Sequence, residues 1–147
     1  MTEATIRVLG IDDYDHLLAL WRDAGLHSLK PHGRDSREAL ARQLSTGVQT
    51  IIGLEKQGAL IGAVVATHDS RKGWINRLVV HPHHRRRGHG AQLITAAEEV
   101  LGEQGISVIA ALVESDNPAS LALFQRVGYV DAGRDIHYLS KRDSDEA

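Results

Sequence analysis

The chain has 147 residues, of which 42% are hydrophobic and 24% are charged, and it contains no cysteine. This length is typical of one domain and excludes a two-domain enzyme, and the composition excludes a disordered chain. The net charge is only −2, but residues 70–97 carry six basic residues and none of the 19 acidic ones. This basic block indicates one anionic ligand at one place rather than a general polyanion partner.

The first half of the chain predicts a strand, two helices and a hairpin. An alternating apolar pattern indicates the first strand, and acidic residues followed by apolar stripes indicate the two helices, separated by a loop over Gly25–Arg34. A turn containing Gly58 separates the two strands of the hairpin. The predicted elements are a strand over 4–9, helices over 12–24 and 35–47, and strands over 49–55 and 60–67.

The second half predicts four strands and two helices. The predicted elements are a strand over 74–80, a helix over 90–103, a strand over 107–113, a helix over 117–127, and closing strands over 129–132 and 136–140. The strand–helix–strand unit over 74–113 predicts a right-handed parallel crossover. The chain therefore predicts a mixed α/β sheet of six to seven strands with about four helices.

A basic, glycine-containing loop follows the strand that ends at Val80. Its sequence is His81-Pro-His-His-Arg-Arg-Arg-Gly-His-Gly90, and the long predicted helix begins at its end. The unpaired N–H groups of a helix N-terminus attract an anion, and the arginines add positive charge. Gly88 and Gly90 let the backbone approach a phosphate closely. The loop therefore predicts a diphosphate site, although it matches neither a P-loop nor a dinucleotide fingerprint.

At these residues the chain resembles the GCN5-related N-acetyltransferase (GNAT) family. The segment Arg85-Arg-Arg-Gly-His-Gly90 matches the family's acetyl-CoA pyrophosphate signature, and Leu78-Val-Val-His-Pro82 matches its fourth strand. Further along, Asn117 to Tyr129 match a second signature, with the same order and spacing. The resemblance covers about residues 4–142 and implies a GNAT-like acyl-CoA N-acyltransferase fold in one domain over 1–147.

The resemblance implies that acetyl-CoA is the co-substrate and that an amine attacks its thioester directly. The pantetheine arm is expected to pair with the fourth strand, and a backbone N–H there is expected to face the thioester oxygen. Relatives are often dimers, so a homodimer is a further expectation. The expected cofactor-binding residues are Leu78, Val79, Val80, Arg85, Arg86, Arg87, Gly88, His89, Gly90, Ala91, Asn117 and Phe124.

Two positions depart from the family pattern and leave the acid and the base open. Phe124 stands where a tyrosine often acts as general acid, and Trp74 stands where many relatives have a glutamate. Glu114 is the preferred candidate for the base. Further candidates are Tyr129 and Tyr138 for the acid, and His68 and His81 for the base. An alternative function that accommodates both departures is an acyl-CoA-binding module with degenerate catalysis.

Several other interpretations are weaker. The histidines at 81, 83, 84 and 89 lack a nearby acidic or cysteine partner, so no metal site is predicted. The arginine run lacks interleaved aromatic residues, so a nucleic-acid partner is not predicted either. With no apolar span and no signal peptide, the chain is expected to be cytoplasmic, without a membrane partner. Arg71, Lys72 and Arg77 stay unassigned, with contact to the adenosine 3′-phosphate and plain solvation both open.

Overall fold

Five strands form a mixed sheet in the computed structural model, which describes residues 3–133 and 135–147. The strands are β1 (Thr5–Val8), β2 (Gln49–Lys56), β3 (Ala59–His68), β4 (Gly73–Val80) and β5 (Ile109–Ala111). They lie side by side in chain order, antiparallel from β1 to β4 and parallel between β4 and β5. The mixed sheet and the parallel pairing across the crossover are as predicted.

Four α-helices connect and cover these strands in the described part of the chain. They are α1 (Tyr14–Asp23), α2 (Arg37–Leu44), α3 (His89–Glu103) and α4 (Pro118–Arg126). One short 3-10 helix precedes α1, over Ile11–Asp13, and another lies within the basic loop, over Pro82–His84. Ser36 caps α2 by accepting the Ala39 N–H at 3.1 Å. Among the described residues, none of the helices is both long and apolar enough to cross a membrane.

The helices pack on both faces of the sheet because β3 is apolar along its whole middle. Its residues Ile61–Ala66 are buried. The side chains from Ala63 to Ala66 point alternately to the two faces of the sheet. On one face Val64 and Ala66 pack against the apolar side of α3, and Phe124 of α4 joins that cluster. On the other face Ala63 and Val65 belong to the cluster that contains the apolar sides of α1 and α2.

The β2–β3 hairpin has the glycine turn that its sequence predicts, and only two residues lie between the strands. Gln57 and Gly58 both adopt positive φ angles, 53° and 78°. This combination is typical of a type I′ turn, whose twist matches that of the two strands. The turn fixes the register, which pairs Lys56 with Ala59.

The predicted closing strands over 129–132 and 136–140 are wrong, and so is the count of six to seven strands. The described residues of both segments join no ladder, and Arg134 between them lies outside the described residues. The apolar side chains Val130, Ile136, Tyr138 and Leu139 are all exposed. Alternation is a local pattern, whereas a strand also needs a partner edge and a face to cover. The exposed side chains of these segments cover no face of the sheet, so the alternating pattern does not lead to strand pairing here.

The last residues of the chain contact the loop between α1 and α2. The Lys30 ammonium donates to the Asp145 carbonyl at 2.8 Å, and the Arg34 guanidinium donates to the Ala147 carbonyl at 3.1 Å. Both basic side chains thereby meet backbone oxygens of an acidic segment. The contact places the C-terminus beside the 25–34 loop.

Leu93 offers a direct test of the packing between α3 and the sheet. Its side chain is fully buried in the cluster that contains Val64 and Ile94. We expect Leu93→Ala to lower the free energy of unfolding by about 2–5 kcal/mol, because it leaves a cavity under α3. The matched control is Leu139→Ala, whose side chain is 89% exposed and should change stability by less than about 0.5 kcal/mol. Urea unfolding followed by circular dichroism measures both, and equal effects would contradict this packing.

Candidate active site

The pairing between β4 and β5 is short, and we call the space beside the unpaired outer edge of β4, over residues 76–80, the wedge. The two strands pair only over Gly73–Ile75, opposite Ile109–Ala111. Beyond Ile75, the described chain adds no strand to that side of β4, so the outer edge of residues 76–80 stays open. The unpaired backbone groups along such an edge are available to an extended ligand.

A β-bulge lies where β4 leaves β5. Val65 of β3 faces Asn76 and Ala63 faces Val79, so only Val64 lies opposite the two residues Arg77 and Leu78. Arg77 has a φ of 49°, in the left-handed region. Such a two-against-one bulge bends its strand and increases the local twist. The bend therefore coincides with the start of the open edge.

Strand alternation determines which backbone groups face the wedge. The His81 N–H donates to the Ile61 carbonyl at 2.7 Å, and Val79 lies opposite Ala63 on the same ladder. In an antiparallel ladder the intervening residues point their N–H and C=O groups away from the partner. The backbones of Leu78 and Val80 therefore face the wedge, whereas that of Val79 faces β3.

Arg85 ties the basic loop to its surroundings. Its guanidinium donates to the carbonyl of Val80 at 3.1 Å and to that of Ala24 at 3.3 Å, which joins the end of β4 to the end of α1. This side chain therefore braces the loop. Arg86 and Arg87 are exposed to solvent and supply the charge that the loop presents outward.

The backbone of the loop is shaped to hold an anion. Arg86 has a φ of 64°, and Gly88, the N-cap of α3, has a φ of 80°. Left-handed residues among right-handed and extended ones turn successive N–H groups toward one concavity. No acidic residue lies in the first turn of α3, so nothing there competes for the positive end of the helix. The left-handed angle also explains the glycine at position 88.

Two histidines of the loop region have ring nitrogens without a partner. Nδ1 of His84 and Nε2 of His89 are buried from solvent and make no hydrogen bond to the described residues. Burial, reinforced by the nearby Arg87 charge, lowers the pKa of His84, which favours the neutral ring at pH 7. Such rings can donate a hydrogen bond to a bound oxygen. No group of three or more potential ligands within the described ranges is arranged to hold a metal ion.

Helix α4 lies beside the start of α3. A Cβ built on Gly90 would lie 2.7 Å from Cδ2 of Leu123, so this glycine allows close approach of α4 as well as of a ligand. Asn117, expected at the cofactor, is the N-cap of α4 and accepts the Ser120 N–H at 3.2 Å. Phe124 is buried and packs edge-on against Tyr129, with ring centroids 5.1 Å apart.

The candidate acids and bases lie in different surroundings. Tyr129 donates to Oε2 of Glu98 at 2.9 Å, and Tyr138 is 79% exposed. Glu114 is exposed just beyond β5. Nδ1 of His81 already accepts the His83 N–H. His68 lies opposite Gly73, at the end of β4 remote from the basic loop.

The three unassigned basic side chains have protein partners. Arg71 lies 3.8 Å from Asp69, and the Lys72 ammonium lies over the Trp74 ring at 4.7 Å. Arg77 forms a two-pronged ion pair with Asp35, a contact that the sequence analysis missed. The only sequence signal for it is a charged residue in the middle of a largely apolar strand, which favours a buried partner without identifying it.

Comparison with known proteins identifies a consistent set of relatives. The sequence model of the acetyltransferase (GNAT) family matches residues 14–129. An acetyltransferase of Photorhabdus laumondii is 30% identical over 137 residues, covering 93% of this chain and 94% of that protein. An acetyltransferase of Yersinia pseudotuberculosis is 28% identical over 124 residues, covering 84% and 86%.

Solved structures share the same fold. A GCN5-related N-acetyltransferase from Ralstonia eutropha superposes with a TM-score of 0.68 at 25% identity, covering 93% of this chain and 99% of that one. The aminoglycoside acetyltransferase AAC(6')-Iy, bound to a bisubstrate analogue, superposes with a TM-score of 0.80 at 20% identity, covering 95% and 99%.

The contact between Tyr129 and Glu98 predicts that the free energy of unfolding decreases at alkaline pH. Burial and the Glu98 carboxylate raise the pKa of the Tyr129 phenol, above the value near 10 expected in the unfolded chain. The raised pKa contributes stability below pH 10, and this contribution is lost as the pH rises toward the folded-state value. We expect Tyr129→Phe to cost about 1–2 kcal/mol at pH 7, with a smaller difference from the parent at pH 11.

Urea unfolding at both pH values measures this difference. Tyr138→Phe is the matched control, because Tyr138 is exposed, and it should change stability little at either pH. A cost for Tyr129→Phe that does not shrink at pH 11 would contradict the assignment.

Proposed function

The chain belongs to the acetyltransferase (GNAT) family, and from this membership we propose how its residues hold acetyl-CoA and present the acetyl group to an amine. The protein is an N-acetyltransferase with acetyl-CoA as its co-substrate. The observation that carries the proposed placement is the open edge of β4, which leads directly into the basic loop at the start of α3. An extended ligand with a diphosphate at one end fits this continuity.

The diphosphate is assigned to the loop from Arg85 to Gly90, with His89 and Ala91 in the first turn of α3. The left-handed residues Arg86 and Gly88 turn the loop's N–H groups inward, and the helix dipole favours the anion. Arg86 and Arg87 supply charge that the phosphates neutralise. The unpartnered nitrogens of His84 and His89 offer two further donors, since neutral imidazole can hold its proton on either nitrogen.

The pantetheine arm is assigned to the outer edge of β4. Leu78 and Val80 point their backbone groups toward the wedge, and an extended arm with amide groups can pair with them as an added strand. Because Val80's carbonyl already accepts from Arg85, we expect its N–H to be the available group. Val79 contributes by holding β4 against β3.

Acetyl-CoA supplies an activated thioester, so the chain has to align it with the amine and stabilise the oxyanion. A backbone N–H at the bulge, facing the thioester oxygen, would supply that stabilisation. The amine nitrogen bonds to the carbonyl carbon, the C–S bond breaks and the amine releases its proton. A thiol of pKa about 8.5 is a tolerable leaving group as a thiolate. Phe124 beside the sulfur is therefore compatible with transfer, at the cost of the roughly 10²–10⁴-fold that general acid catalysis supplies.

The need for a base depends on the acceptor. Deprotonating a lysine-like amine of pKa near 10.4 costs about 4.6 kcal/mol at pH 7, whereas an α-amine near 7.8 costs about 1 kcal/mol. Glu114 stays the preferred candidate, because its exposed carboxylate lies just beyond β5 and is accessible to an incoming amine. A primary amine is the proposed acceptor class, and the 25–34 loop is the proposed specificity element. A homodimer and a cytoplasmic location stay predictions.

Substitution of Gly88 tests the diphosphate assignment. We expect Gly88→Val to weaken CoA binding by about tenfold or more, because the left-handed φ of 80° is strained for a β-branched residue by about 1–2 kcal/mol. The fold should stay intact. Gly102→Val in α3 is the matched control, since its φ is not in that region and nothing lies within 4 Å of a Cβ there. Isothermal titration calorimetry with CoA compares the two, and unchanged affinity for Gly88→Val would refute the assignment.

Thiol release from acetyl-CoA tests the function itself. A panel of a peptide α-amine, a lysine peptide, a polyamine, an aminoglycoside and an amino acid covers the acceptor classes. We expect at least one amine to raise thiol release above hydrolysis and to gain one acetyl group by mass spectrometry. Tight CoA binding with no transfer to any amine would favour the binding-module alternative. For a lysine-like acceptor without a base, kcat/KM should rise about tenfold per pH unit from 7 to 9.

A further inference from the structure

Arg77 and Asp35 form a buried ion pair under the bulge of β4. The guanidinium contacts both carboxylate oxygens, at 2.6 Å and 3.0 Å, and the exposed fractions of the two side chains are 19% and 6%. In the described part of the chain, Asp35 is the one charged residue that is buried. Because the guanidinium and the carboxylate are both planar, two parallel hydrogen bonds fix the orientation of one group relative to the other.

Further contacts fasten the pair to the helical layer. The Lys30 N–H donates to the Asp35 carboxylate at 2.8 Å, and the Tyr14 hydroxyl donates to the Asp35 carbonyl at 2.7 Å. The guanidinium of Arg77 also lies over the Trp21 ring, 4.9 Å from its centroid. The pair therefore links α1 and the loop before α2 to the bulge.

The backbone of Arg77 needs such a link. Its φ of 49° places a residue with a Cβ in the left-handed region, where glycine is favoured. It is one of the two β4 residues that share Val64 as their counterpart, so the regular ladder does not hold it. A strained conformation persists only where the surroundings over-determine it, and the side-chain pair to Asp35 is the surrounding structure that does so here.

We propose that the Asp35–Arg77 ion pair is a positioning device, which holds Arg77 in its left-handed conformation and thereby fixes the bulge that aims the edge of β4 at the acetyl group. This inference rests on the proposed function. Neither side chain is assigned a contact with a substrate. The pair acts through the backbone of Arg77 and Leu78. It also fixes the position of the 25–34 loop relative to that backbone.

Two substitutions at position 77 separate this role from ordinary stabilisation. Arg77→Gly and Arg77→Val both remove the guanidinium and leave Asp35 unpaired, but only glycine adopts a φ of 49° without strain. If the pair serves to hold the bulge, Arg77→Gly keeps most of the activity, while Arg77→Val lowers kcat by roughly 100-fold through misplacement of the edge. If the pair only stabilises the fold, the two variants lose activity equally, or valine loses less because of its strand propensity.

Asp35→Asn completes the test. In the parent background it should lower kcat by roughly tenfold or more, whereas in the Arg77→Gly background it should have an effect of less than about twofold, because glycine makes the pair dispensable. Asp15→Asn, which removes the exposed partner of Arg37, is the matched control and should leave kcat unchanged. All variants are assayed at a temperature at which circular dichroism shows each of them folded.

A second readout keeps the inference separate from the proposed function. Calorimetry gives the ratio of the affinities for acetyl-CoA and CoA. The two ligands differ only in the acetyl group, so this ratio reports how well the acetyl group is held, without requiring turnover. We expect Arg77→Val to reduce this ratio and Arg77→Gly to preserve it, with CoA affinity similar in both. Failure of the parent protein to acetylate any amine would defeat the proposed function alone. Equal ratios and equal kcat for Arg77→Val, Arg77→Gly and the parent would overturn the role of the pair.

Discussion

The bulge in β4 is the constraint on which the proposed placement of acetyl-CoA depends. Two residues of β4 share one partner in β3, and the pairing of β4 with β5 ends at Ile75, two residues before them. Beyond the bulge β4 continues to Val80 and runs directly into the basic loop, so the open edge and the loop of the proposed diphosphate site are continuous along the chain.

Four of the six basic side chains in the block have partners within the protein. Arg71, Lys72 and Arg77 interact with a carboxylate or an aromatic ring of the protein, and Arg85 donates to two backbone carbonyls. Arg86 and Arg87 remain exposed at the loop. This division fits a protein that binds one diphosphate at one position. A polyanion binder would instead need a continuous exposed basic face.

The proposed chemistry depends more on alignment than on dedicated acids and bases. A thioester with a thiolate leaving group and an amine nucleophile already has a low intrinsic demand for proton transfer to the leaving group. Fixed orientation can supply a large share of the barrier reduction, and a backbone donor at the bulge moves little during the reaction. Phe124 is buried and packs against Tyr129, which donates to Glu98. Neither side chain needs to act as a general acid in such a mechanism.

The sequence by itself determined the features that depend on local patterns. Periodicity located the four helices and the first five strands, and the spacing of arginine and glycine after Val80 predicted the anion-binding loop. Tertiary structure decided what requires a partner from far along the chain. The segments over 129–140 alternate like strands, but their described residues join no ladder. Asp35, which starts the second helix in the sequence pattern, instead binds Arg77 forty-two residues away. No local rule connects such residues, because their meeting follows from how the helices pack across the bent sheet.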